Sequence, residues 1–99
     1  MAPSSAKDAA RQKAIEEKEE QIRYFETKLR ETRGRIQEKA SALRALDSGH
    51  RSTEAMPHQL QARRAVMVRE LTELQRDEYE WEWYVSTHTA DLRKFLAGQ

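Results

Sequence analysis

His50, His58 and His88 are the side chains of this sequence best suited to metal binding or proton transfer. His88-x-x-Asp91 sets two ligand types about one helical turn apart, and Asp47-x-x-His50 sets the same types around a turn. A metal site needs a further convergent donor, and an acid–base pair needs a cleft for substrate; neither spacing supplies one. The chain has no cysteine, hence no thiol nucleophile, thiolate ligand or disulfide. It also lacks a Gly-rich phosphate loop, a His-Glu-x-x-His run and a nucleophile elbow. His50 and His58 read as solvated loop residues. His88 reads as a histidine inside a helix seam, where its charge would respond to pH. The expectation is a chain without enzymatic activity, cofactor or metal.

The elements that hold these residues follow from periodicity. From Ile15 the apolar residues fall on a heptad, with Ile15, Ile22, Leu29, Ile36 and Leu43 at position a and Phe25 and Leu46 at d. Sustained over several heptads, this is the pattern of a helix that buries one stripe against another helix. It predicts a helix over about 5–47, with Gly34 inside it at a cost of about 1 kcal/mol against alanine. The pattern breaks at 48–57. Gly49 is expected to supply a left-handed helix end, Ser52 or Thr53 to cap the next helix, and Pro57 to sit in its first turn. A second helix over about 58–97 then carries Leu60, Met67, Leu74, Trp81, His88 and Phe95 at d, with Leu71, Val85 and Leu92 at a.

The predicted fold is therefore all-α: residues 1–99 as a single antiparallel two-helix coiled-coil hairpin. Folding the chain about residue 52 sets Leu43 near Leu60, Ile36 near Met67, Leu29 near Leu74, Ile22 near Trp81 and Ile15 near His88. The seam is interrupted by Lys18, Thr32 and Lys39 on the first helix and by Arg64, Glu78 and His88 on the second. Either the long stems lie along the apolar stripe with their charges in water, or these residues fix register and partner choice. One narrow stripe per helix buries little. A second copy or another helical protein is expected to complete a bundle.

The segment "DEYEWEWYV", 77–85, alternates aromatic and acidic residues like a strand. No second alternating segment exists to pair with it, and the heptad runs through it without a slip, so it is read as helix. On a helix its aromatics divide between faces. Trp81 joins the seam, Tyr84 flanks it, and Tyr79 and Trp83 form an outward pair spaced by four residues. With Tyr24 and Val68 they are the expected partner-binding residues, because an exposed tryptophan beside a tyrosine is a common interface anchor.

The formal net charge of +1 conceals an uneven distribution. Residues 28–69 carry ten Lys/Arg against four acids, and residues 70–99 carry three against seven. The basic half nominates Arg30, Arg33, Arg35, Lys39, Arg63 and Arg64 as phosphate contacts in a second reading, an accessory protein on nucleic acid. That reading is the weaker one, since these residues form no recognised motif and no aromatic platform. No apolar run is long enough for a membrane span and no secretory signal precedes the first helix, so a cytoplasmic or other intracellular soluble location is expected. The turn Ser48-Gly49-His50 lacks the Trp-x-Gly of the small secreted helical hairpins, and no family is assigned. The expected role is a protein-interaction module: a small subunit, adaptor or assembly factor.

Overall fold

A computed structural model describes residues 2–98, with side chains from residue 6 onward. The order is α1 (Ala2–Ser48), a short 3-10 helix η1 (Thr53–Ala55), and α2 (His58–Ala97). The two long helices form a hairpin, as the heptads require. No strand occurs among the described residues, and "DEYEWEWYV" lies wholly within α2. Contacts group the hairpin into two units, Met1–Lys28 with Trp81–Gln99 and Leu29–Glu80, so each helix contributes a segment to both.

Burial follows the heptad. Every predicted seam residue is at least half-covered, from Ile15, Ile22 and Phe25 through Leu29, Ile36 and Leu43 on α1, and from Leu60 to Leu92 on α2. The polar members Lys18, Thr32, Lys39, Arg64, Glu78 and His88 are covered with them. Burial is nonetheless thin. Among the described residues only Leu29, Met56 and Thr32 fall to 9% exposure or less.

The connection departs from its sequence reading at three points. Gly49 does not take a left-handed conformation, and no described residue does. Instead α1 ends at Ser48, whose hydroxyl donates to the Ala45 carbonyl at 2.9 Å, and the His50 amide then closes a turn on Asp47 at 3.1 Å. Ser52 precedes η1 rather than α2, and its side chain makes no cap bond. Pro57 stands just before α2, with its carbonyl accepting from the Gln61 amide at 3.0 Å; it holds Met56 extended, as a proline does to the residue before it.

That extended backbone turns Met56 inward to 4% exposure, the deepest burial among the described residues. An unbranched thioether suits the irregular gap between two helix ends. Gln61 holds the same segment from α2, its side-chain amide donating to the Met56 carbonyl at 2.8 Å.

The pairing register is also displaced. Within the first unit Trp81 lies against Phe25, with ring centroids 6.0 Å apart, and Lys18 meets His88 and Asp91. Within the second, Arg33 reaches Glu78 and Lys39 reaches Glu70. In each case the α2 partner lies further from the turn than folding about residue 52 places it. Side chains lean toward the N-terminus of their own helix, which is away from the turn on α1 and toward it on α2. An α1 side chain therefore meets one whose Cα lies about two positions further along α2. Long charged side chains extend the offset.

Gly34 needs no special conformation, and a Cβ built on it would meet nothing within 4 Å. Gly34→Ala is expected to stabilise the hairpin by about 0.5–1 kcal/mol, read as a rise in melting temperature with no change in helicity.

Candidate functional site

Six aromatic rings, the His88 imidazole included, link up within the first unit. Phe25, at a d position of α1, stacks on Tyr84 and on His88 of α2 with centroids 5.0 Å apart in both cases. Trp81 closes over Phe25 from the neighbouring turn. Trp83 stands edge-on to Tyr84 at 5.3 Å, and Tyr24 edge-on to Phe25 at 5.5 Å. The cluster thus runs from covered rings to exposed ones: Tyr24 is 55% exposed and Trp83 56%. Tyr79, one turn before Trp83 on α2, is 71% exposed, and Val68 also lies open. The Lys28 ammonium sits 5.5 Å from the Tyr24 ring centre, a cation on the face of an aromatic.

The histidine pairs resolve differently from a metal site. The Lys18 ammonium has only donors, so at 2.8 Å His88 Nδ1 must accept from it and Nε2 must carry the ring proton. Asp91 approaches the same ammonium at 3.5 Å. His88 and Asp91 therefore converge on a lysine. A half-covered cation at a seam position is met by a ring acceptor and a carboxylate one turn apart.

Asp47 is engaged as well. Arg64 donates to both carboxylate oxygens, Nε at 2.8 Å and Nη2 at 3.1 Å, a bidentate clamp across the base of the turn. The Arg64 hydrogen bond holds the Asp47 carboxyl below its ordinary value of 3.8, with a smaller contribution from the nearby His50 charge, and the clamp raises Arg64 in turn. A carboxylate with a depressed folded pKa adds stability above its unfolded value and loses it as pH falls through the folded one. Asp47→Asn is accordingly expected to lower the melting temperature at neutral pH. The gap to the wild type should close as the pH falls below about 4. Melting curves across that range check it. A gap unchanged in acid would remove the clamp's electrostatic role.

The proposed phosphate contacts are distributed unevenly. Three of the six, Arg33, Lys39 and Arg64, are drawn into ion pairs with Glu78, Glu70 and Asp47. Arg35 and Arg63 border a groove that also carries Glu38, Glu70, Glu73 and Asp77. Arg30 is exposed. Acids on α2 thus answer Arg33 and Lys39 of α1, Asp47 of α1 answers Arg64 of α2, and the basic half is less free than its composition suggests.

Sequence reasoning missed Met56, Gln61 and the Arg64 clamp. Only the i, i+17 separation of Asp47 and Arg64, across a turn of known position, carried a signal for the last. Among the described residues no three His, Asp or Glu side chains gather as a metal site, and no helix is long and apolar enough to cross a membrane. No protein-family model, curated protein or solved structure matches the chain.

Proposed function

We propose that the chain is a non-enzymatic coiled-coil module that works by helix-to-helix contact, as a small subunit, adaptor or assembly factor of a larger protein complex in an intracellular compartment. One observation carries the reading. Trp83 and Tyr79, one turn apart on α2, are the most exposed of the large hydrophobic side chains. An indole and a phenol exposed side by side offer apolar area that a partner can bury, and these are the residue types that dominate binding energy at protein interfaces.

Tyr24 and Val68 extend the partner-binding set, and the half-covered seam supports the expectation that the hairpin completes its core with other helices. Removal of both outer rings tests the reading: Tyr79→Ala with Trp83→Ala should weaken partner capture while the far-ultraviolet circular dichroism keeps its helical form. Capture unchanged by the double substitution would overturn it. Capture of nucleic acid instead, lost steeply with added salt, would favour the basic side chains as the working surface.

A further inference from the structure

Within the second unit an open groove of about 800 Å³ runs between α1 and α2. Its floor is apolar, formed by Ala42, Val66, Met67 and Leu74, and Val66 is 44% exposed there. The two rims differ in sign. On α1 stand Arg35 and Lys39 with Glu38, whereas on α2 stand Glu70, Glu73 and Asp77, with Arg63 nearer the turn. Lys39 and Glu70 spend their charges on each other at 3.2 Å. Among the described residues Arg35, Glu73 and Asp77 make no ion pair within the chain.

We propose that this groove seats a second copy of the chain, related by a two-fold axis parallel to the helices, so that α1 of each copy lies over α2 of the other. Charge selects both the occupant and the operation. The Lys39–Glu70 and Arg33–Glu78 pairs bracket Arg35 and set it level with the α2 turn that carries Glu73 and Asp77, so the operation sets Arg35 of one copy over Glu73 and Asp77 of the other, twice by symmetry. The other face-to-face two-fold lays α1 on α1 and α2 on α2. It would bring Glu70, Glu73 and Asp77 against their own kind, and like charges set together at an interface disfavour it strongly.

Surface area is sufficient for such a dimer. The chain exposes 7720 Å², against about 5,800 Å² for a compact monomer of its mass. The excess of about 1,900 Å² exceeds the roughly 800 Å² that each partner buries in an interface of ordinary size. This face is separate from the outer pair Tyr79 and Trp83, so it adds a self-association surface to the one proposed for a different partner.

Sedimentation equilibrium of the full chain over about 1–100 µM tests it. The wild type should be dimeric in that range. Arg35→Glu and Glu73→Arg should each weaken the dimer about ten-fold or more, because the first sets like charges at both the 35–73 and 35–77 contacts and the second at the two 35–73 contacts. An equimolar mixture of the two variants should recover much of the association, since both 35–73 contacts are then complementary and only one of the two 35–77 contacts sets like charges together, and Arg35→Glu with Glu73→Arg in one chain should recover the 35–73 contacts. Tyr79→Ala with Trp83→Ala should leave the dimer intact, which separates this surface from the partner-binding one. Both charged positions are exposed and unpaired, and far-ultraviolet circular dichroism verifies that helicity survives. A wild type monomeric at the highest concentration would overturn the proposal. So would helical charge variants that dimerise as tightly as the wild type, or a mixture no tighter than its components.

Discussion

Phe25→Ala should destabilise the hairpin by about 3 kcal/mol, the largest expected effect of any single truncation in the chain. The ring is the one shared by all of Tyr24, Trp81, Tyr84 and His88, at centroid distances of 5.0 to 6.0 Å. Its removal takes away apolar burial, the aromatic contacts of two α2 turns and the platform on which His88 lies while it accepts from Lys18. A loss of this size in a chain of 99 residues corresponds to a fall in melting temperature of about 10–20 °C. Near-ultraviolet circular dichroism should lose the signal of a fixed Trp81 environment at the same time. Tyr24→Ala, next in sequence but exposed, serves as the control and should stay within about 0.5 kcal/mol of the wild type. Equal melting temperatures for the two variants would mean that the aromatic cluster does not organise the seam.

The second large effect is on assembly. Tyr79→Ala with Trp83→Ala should weaken capture of a protein partner by about 10²–10³-fold, if each ring supplies the roughly 2 kcal/mol typical of an interface anchor. Stability should change far less. Tyr79 is 71% exposed, and Trp83 gives up little beyond its edge-on contact with Tyr84, worth about 1 kcal/mol. The separation of the two effects is what distinguishes a docking surface from exposed packing. A double variant that melts much lower and binds equally well would place these rings in the structural framework instead.

The two helices were legible in the sequence because a seven-residue period states directly which residues share a face. Ile15 to Leu43 and Leu60 to Leu92 are covered as that frame requires, and Trp81 and Trp83 divide between covered and exposed faces as their spacing dictates. The register was not legible. It depends on where helices end within a polar connection, on the lean of side chains along antiparallel axes, and on how far Arg33 and Lys39 reach. None of these leaves a mark in apolar periodicity.

The connection misled for a related reason. Gly49 carries a strong local signal for a left-handed helix end, yet the chain closes its turn through Asp47 and His50 with ordinary dihedrals. Meanwhile Met56, a lone apolar residue among polar ones and outside the heptad frame, is the most covered of the described side chains. The polar seam positions had two readings, and the structure pairs several of them in defined ways: Lys18 with His88 and Asp91, Lys39 with Glu70, Arg64 with Asp47. Matched pairs of this kind favour one register over its neighbours, because a slip by a heptad would leave half-covered charges unanswered.

The central claim is that the chain works by contact with protein, and the mass of the assembly it forms in its native source tests that most directly. Isolated at low salt and measured intact, the chain should appear in a complex that contains another protein. That complex should survive nuclease and keep its mass between about 50 and 200 mM salt. A mass equal to the free chain or to its own dimer, or a complex that falls apart with nuclease, would contradict the account.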